Sequence, residues 1–311
     1  MNPASLEAER QMRIVLGDRL KIDEPLNAYT TFRIGGPADF LATVNSTDEL
    51  ITIVTIAREV GIPWRILGRG SNLLVADRGA RGLVVRNAAN RIQFPREPIE
   101  SPCTVVVDAG VSCARLASQA ARAGLGGVEF LVSIPGTIGG AIVQDAGAHG
   151  SEIVNVLQKA EYLDAEGKIQ FARSADLAFG YRTSWFKQHL GVIAVLRGYL
   201  SLNRADPEMV NQRIDEHRKW RAASQPAEPS AGSIFANPPG DYAGRLIEAA
   251  GLKGLRVGNA QISTRHANFI VNLGNASAHD VMAIIQKAQF EVHEQFGVRL
   301  EPEIERFGDW T

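Results

Sequence analysis

Gly68-Arg69-Gly70-Ser71-Asn72 is the stretch on which the reading of this chain turns. It follows a short apolar run, Trp64 to Leu67, and precedes another, Gly82 to Arg86, rich in β-branched residues; both have the composition of strands. After a strand, the backbone N–H groups of such a loop can converge on an anion as a nest, with Ser71 and Asn72 adding side-chain donors. By itself the loop is equally well a tight turn that uses glycine for positive φ. No GxGxxG opens a helix and no GxxxxGK[ST] occurs, so neither a Rossmann dinucleotide site nor a P-loop is indicated.

Working outward, a helix is expected from Thr47, where Ser46 and Glu49 have capping-box spacing, apolar residues recur at Leu50, Ile53, Val54 and Ala57, and Gly61 closes the segment. A strand from Thr104 to Asp108 runs into a helix from Cys113 to Ala123 that ends at Gly124. From Leu125 to Gly150 glycines are too dense for a regular element, which suggests irregular backbone lying against a ligand. This region holds Ile134-Pro135-Gly136-Thr137-Ile138-Gly139-Gly140-Ala141 and then Asp145-Ala146-Gly147-Ala148. Two glycine loops suit one extended ligand: a flat cofactor with a diphosphate needs donors for its charge and side-chain-free backbone for its ring. A tightly packed sheet corner is the alternative.

Gln225-Pro226-Ala227-Glu228-Pro229-Ser230 reads as a linker. Beyond it lie an expected helix around Tyr242 to Ala250, a strand Ala267 to Leu273, a long helix Asp280 to Phe296 stopped by Gly297, and a last strand Arg299 to Phe307. In such a strand Glu301, Glu303 and Glu305 would share one face, which solvation alone could explain. Arg182 stands among aromatics in Phe179-Gly180-Tyr181-Arg182-Thr183-Ser184-Trp185-Phe186, suited to grip a carboxylate; from spacing alone the simpler alternative, a structural ion pair or stacking on a ring, is favoured. Ser233, between Gly232 and Ile234, is not in a GxSxG elbow, so a hydrolase triad is unsupported. Six scattered histidines form no HExxH or similar pair, and no metal site is expected.

Composition narrows the class. Hydrophobic residues make up 45% and charged residues 22% of 311, an ordinary globular balance long enough for two or three modules. A formal net charge of -1 removes the electrostatic drive toward nucleic acid or an anionic membrane, so small-molecule partners are expected. The two cysteines, Cys103 and Cys113, form neither a CxxC pair nor a disulfide framework and are expected as reduced structural thiols. Met1 to Leu20 lacks the apolar core of a signal peptide, from which a cytoplasmic location is expected.

Taken in order, these blocks resemble the UDP-N-acetylenolpyruvoylglucosamine reductase (MurB) family, in its type II form. The resemblance runs from Asn27-Ala28-Tyr29-Thr30-Thr31-Phe32-Arg33-Ile34-Gly35-Gly36 through Leu67 to Val75, Ile134 to Ala141, Phe179 to Phe186, Pro229 to Pro238, Leu246-Ile247-Glu248 with Gly251-Leu252-Lys253-Gly254, and His266-Ala267-Asn268-Phe269-Ile270-Val271-Asn272, to Glu301-Pro302-Glu303. It implies an α+β fold: a PCMH-type two-domain flavin fold plus a smaller α+β substrate-binding domain. The divisions it implies are 1–85 with the C-terminal strand 299–311, 86–218, and 219–298. The activity it implies is reduction of UDP-N-acetylglucosamine enolpyruvate to UDP-N-acetylmuramate through FAD, with NADPH as the electron donor, by a cytoplasmic monomer.

The resemblance also carries roles. Arg182 would hold the substrate carboxylate, Ser233 would supply a proton to the carbon, and Glu303 would assist as a carboxyl that keeps or shares a proton. FAD would lie on Gly68, Arg69, Gly70, Ser71, Asn72, Ile134, Pro135, Gly136, Thr137, Gly140, Asp145 and Ala146, and substrate on Tyr181, Asn237 and Lys253. Three positions depart from the family pattern: Ser224 where Lys is frequent, with Lys219 or Arg221 as substitutes; Ala236 where Lys or Arg is common; and Asp145 for Asn, which removes an amide donor and could add negative charge beside the flavin. The competing classes are an FAD-dependent oxidase or dehydrogenase of alcohols or sugars, and a ligand-binding regulator without turnover.

Overall fold

The computed structural model describes residues 3–96 and 101–311. The chain divides into two compact units, one from Met1–Lys21, Phe40–Gly68 and Gly82–Arg221, the other from Ile22–Asp39, Arg69–Arg81 and Ala222–Thr311. Helices and sheets are mixed in both, an α+β arrangement.

In the first unit helix α1 (Pro3–Leu16) buries Ala8, Met12 and Leu16, one residue per turn. Helix α2 (Thr47–Glu59) starts where its cap says: the Ser46 hydroxyl accepts the Glu49 amide at 3.1 Å. The Glu49 carboxylate does not close the box on Ser46. It accepts the Asn45 amide (2.8 Å) and pairs with Arg19 (2.6 Å). One sheet runs in the order Leu20–Pro25, Pro37–Val44, Ala80–Asn87, Trp64–Leu67, the last two parallel. A second, antiparallel sheet has the order Ile169–Arg173, Leu157–Leu163, Ala194–Arg204, Cys103–Asp108, Ile92–Gln93, with Leu125–Gly126 added to one end of the long central strand.

Helix α3 (Cys113–Arg122), capped by Ser112, and helix α4 (Ile138–Gln144) build the core over that sheet. Helix α4 corrects the expectation that the glycine-rich stretch is irregular. The Thr137 hydroxyl caps it through the Gly140 amide (3.3 Å), while the Ile138 and Gly139 amides bond to Val111 and Ala109 carbonyls (2.9 and 2.8 Å). A Cβ on Gly139 would lie 2.9 Å from the Ala109 Cβ, and one on Gly198 of the central strand 3.0 Å from Ile142 Cδ1. Those glycines serve close packing of helix on sheet. Helix α5 (Pro207–Ser224) buries only Val210 and Ile214. Cys103 and Cys113 are buried and in no disulfide.

The second unit is a four-stranded antiparallel sheet in the order Ser230–Ser233, Phe269–Asn272, Ala260–Ile262, Arg256–Val257, with helices α6 (Ala243–Ala249) and α7 (Ala278–Phe296). Ser277 and Asp280 form a reciprocal capping box at the start of α7, and Gly297 ends it at φ 66°. Phe32, Ile34 and Leu74, far away in sequence, complete the core with Phe235, Leu246, Ile270, Val281 and Ile304. The last strand is shorter than expected: only Glu305–Phe307 is regular, paired parallel to Leu73–Val75. Pro302, which has no N–H, makes just an isolated bridge to Phe235, so Glu301, Glu303 and Glu305 do not line one face of a continuous strand.

Candidate active site

In the first unit the flavin-loop candidates meet around the start of α4. A Cβ on Gly68 would sit 2.7 Å from the Thr137 hydroxyl, so the end of strand Trp64–Leu67 and the α4 cap touch through glycine. Gly140 is different. It is exposed, and the nearest atom to a Cβ placed there is the Thr137 hydroxyl at 3.6 Å. Nothing in the chain's own packing requires glycine at that helical position, where it costs about 0.5–1 kcal/mol relative to alanine.

Asp145 ends α4 in the left-handed region (φ 45°), is 2% exposed, and its carboxylate accepts the Val154 amide at 3.2 Å. Burial raises its pKa above the usual carboxylate range, against the lowering by that hydrogen bond. The direction of this shift runs against the expectation of added negative charge at Asp145. Its carbonyl and that of Gly147 accept the Arg182 guanidinium at 3.1 and 3.3 Å. Asp145, Ala146 and Arg182 therefore belong to one cluster.

Arg182 sits in a tight turn in which Gly180 and Thr183 exchange both backbone hydrogen bonds (3.1 and 2.9 Å). Its φ of 59° is left-handed, a conformation costing a non-glycine residue about 1–2 kcal/mol. The buried Ser184 hydroxyl fixes this turn to the Val143 carbonyl of α4 at 2.7 Å. The guanidinium lies 5.0 Å from the ring centre of Tyr181, which is itself exposed, so the ring contact allowed by the sequence is present. The Glu152 carboxylate stands 3.8 Å from the same guanidinium, so the structural ion pair that the sequence allowed is present beside the ring contact. Arg221, considered as a substitute for the absent lysine, donates to the Ser133 carbonyl.

The second unit gathers the other candidates. No backbone carbonyl among the described residues accepts from the amides of Arg69, Gly70 or Ser71, and Gly70 is buried at φ 59°. Three successive amides with no chain partner suit an anion such as a diphosphate. The carbonyl side of the loop is anchored: Thr31 donates its amide to Gly70 (3.2 Å) and its hydroxyl to the Ser230 carbonyl (2.7 Å). Asn72 donates its side-chain amide to the Glu303 carbonyl (3.1 Å), and Glu305 returns a bond to the Asn72 carbonyl (2.9 Å).

Glu303 in turn donates its amide to the Ile234 carbonyl at 2.8 Å, one residue from Ser233. Ser233 is half-buried, and its hydroxyl makes no hydrogen bond to another described residue. Hydrogen bonds to the backbone thus join the loop, the segment of Glu303 and the residues flanking Ser233. Asn237 uses its side-chain oxygen on the Ala243 amide (3.1 Å), at the start of α6, and Lys253 pairs with Glu248 (2.8 Å). Thr31, Gly232 and Asn268, which shape the patch, were not singled out from sequence; their only signal was membership in the ordered blocks around Tyr29, Gly232 and His266.

The model of an FAD-binding domain matches residues 38–173, and that of the C-terminal domain of UDP-N-acetylenolpyruvoylglucosamine reductase matches residues 225–307. UDP-N-acetylenolpyruvoylglucosamine reductase 2 of Symbiobacterium thermophilum is 44% identical over 97% of this chain and 96% of its own length. The reductase of Rubrobacter xylanophilus is 45% identical over 93% of this chain and 95% of its own. The crystal structure of the Thermus caldophilus reductase superposes with a TM-score of 0.76 at 39% identity, covering 93% of this chain and 99% of that one. Identity of this extent through both units shows that the chain belongs to the UDP-N-acetylenolpyruvoylglucosamine reductase (MurB) family.

Proposed function

We propose that this chain reduces the enolpyruvyl ether of UDP-N-acetylglucosamine to UDP-N-acetylmuramate, with FAD as cofactor and NADPH as electron donor, in the synthesis of peptidoglycan precursors. The carrying observation is the patch in which Asn72 holds Glu303 and Glu303 holds Ile234 beside Ser233. FAD, when bound, relays two electrons from NADPH to the vinyl group. By their chemistry the partnerless amides of Arg69 to Ser71 would suit a diphosphate, and the uncovered backbone at Gly140 would suit a flat ring.

The remaining chemistry belongs to side chains. Reduction of the terminal vinyl carbon leaves negative charge on the neighbouring carbon and its carboxylate. Arg182, already locked in its turn, holds that carboxylate, and a fixed cation there contributes on the order of 10² or more in rate. Ser233 gives its proton to the carbanionic carbon, which is basic enough to take it from a well-placed hydroxyl. Glu303 acts as a carboxyl that carries or shares a proton, since a bare carboxylate would repel the developing charge. Tyr181, Asn237 and Lys253 contact substrate. The three-part division at 1–85 with 299–311, 86–218 and 219–298, the monomeric state and the cytoplasmic location form part of this reading. No helix among the described residues is long and apolar enough to cross a membrane.

The test is anaerobic and has two stages. NADPH should bleach the bound flavin, and UDP-N-acetylglucosamine enolpyruvate should then restore its colour. Bleaching without restoration refutes the assignment, and anaerobic bleaching by an alcohol or sugar in place of NADPH points to the competing flavoenzyme class.

A further inference from the structure

Ser233 ends a short strand whose pairing with its neighbour is irregular. Ser230 faces Val271 and Ser233 faces Phe269, so three steps on one strand match two on the other. The extra residue makes a bulge, with Gly232 at φ 79°. A bulge re-aims the side chain beside it, and it also removes the regular ladder that would otherwise hold that side chain in register.

Asn268 supplies the missing hold. It is 4% exposed, and its side-chain amide spans the Phe235 peptide unit groups: Oδ1 accepts the Phe235 amide at 2.9 Å and Nδ2 donates to the Phe235 carbonyl at 2.8 Å. Its own carbonyl accepts the Ile234 amide at 2.8 Å. Asn268 is itself held by His266, whose Nδ1 accepts the Asn268 amide at 3.2 Å. On the opposite side the same segment is bonded by Glu303 and by the Glu301 carbonyl, which accepts the Ala236 amide at 2.9 Å. Three of these bonds come from one buried residue that touches neither the Ser233 hydroxyl nor Glu303 in any of them.

We propose that Asn268 is a positioning residue for Ser233: its side-chain amide replaces the lost ladder after the bulge and sets where the Ser233 hydroxyl stands. The inference rests on the reading of Ser233 as proton donor. An amide does this work at any pH, whereas an ionised carboxylate cannot, since one end must accept from an N–H and the other donate to a carbonyl. Asn268→Asp keeps the shape and the acceptor but loses the donor, and turns an oxygen toward the Phe235 carbonyl.

The experiment measures both half-reactions of the FAD-loaded protein for wild type, Asn268→Asp, Ser233→Ala and the double variant. Asn268→Asp should slow substrate-driven return of flavin colour by about 10- to 100-fold, the usual effect of a misplaced reacting group. Bleaching by NADPH should stay within about twofold of wild type, and the double variant should be no slower than Ser233→Ala, because coupled residues are not additive. Amide hydrogen exchange across residues 230–238 should rise. If Asn268→Asp does not retain flavin, Asn268→Ser, which removes both amide groups without burying a charge, takes its place.

A normal colour return in the Asn268 variant, with Ser233→Ala slowed, overturns the positioning role alone. Equal slowing of both half-reactions, or additive slowing in the double variant, reduces Asn268 to general structure. A normal colour return in Ser233→Ala removes the proton-donor reading and this inference with it.

Discussion

Replacing Gly140 with alanine separates what the polypeptide needs from what the cofactor needs. In the protein alone the new methyl would meet only the Thr137 hydroxyl, at 3.6 Å, on an exposed helical surface. Relief of the glycine cost should therefore stabilise the flavin-free protein by about 0.5–1 kcal/mol, or about 1–4 °C in Tm for a chain of this size. With FAD the same methyl intrudes on a filled interface, where overpacking costs about 1–3 kcal/mol, which is about 5- to 150-fold in Kd. The assays are a thermal melt of the flavin-free protein and a fluorescence titration with FAD. Gly139→Ala is the control: its methyl would collide with Ala109 at 2.9 Å, so it should destabilise the protein with or without flavin. A Gly140→Ala protein that binds FAD with unchanged affinity, or that melts lower without flavin, would refute the reasoning.

Gly70→Ala should lose about 2 kcal/mol or more in urea unfolding, because φ is 59° and the methyl would lie 2.7 Å from the Tyr29 carbonyl oxygen; an unchanged midpoint would disprove the strain. Arg182→Gly and Arg182→Ala should both slow the substrate half-reaction by on the order of 10² or more. The glycine form should be more stable by about 1 kcal/mol because only glycine adopts the left-handed turn freely, and equal melting of the two would show that the turn stores no strain. Burial holds the His266 pKa below its ordinary 6.5, so its contribution to stability is complete above that value and is lost as pH falls through the lowered folded-state pKa. Denaturation at pH 7.5 and 5.5 should show a smaller acid loss in His266→Gln than in wild type, and an equal loss in both would clear His266 of that role.

Local signals carried the sequence reading where the physics is local. Ser46 before α2 and Gly297 after α7 act through a short-range hydrogen bond and a single backbone angle, so they mark those helix ends from the sequence, whereas the Ser277 cap puts the start of α7 at Ala278, ahead of the expected Asp280. The glycine-rich stretch misled because glycine density has two opposite causes. Gly139 and Gly198 serve helix-on-sheet packing, and Gly140 does not, a distinction that only neighbouring atoms reveal. The strand through Glu303 was overextended because Pro302 has one bridge partner, Phe235, distant in sequence. Arg182, Ser233 and Glu303 were assigned through the resemblance. Spacing could not disclose that Asn72 bonds to Glu303 or that Asn268 clamps Phe235, since these contacts join separate segments of the second unit.

The interleaved make-up of that second unit has a consequence during synthesis. Phe32, Ile34 and Leu74 emerge early, yet the core that covers them is built with Phe235, Leu246, Ile270, Val281 and Ile304. Leu73–Val75 waits for Glu305–Phe307, 232 residues later by register (305 − 73), or roughly 12–46 s at ordinary rates of elongation. Through that interval three large apolar side chains and an unpaired strand edge stay uncovered on the ribosome-bound chain, which makes this stretch the natural target of a holdase and the first place where overexpression without one would produce aggregates.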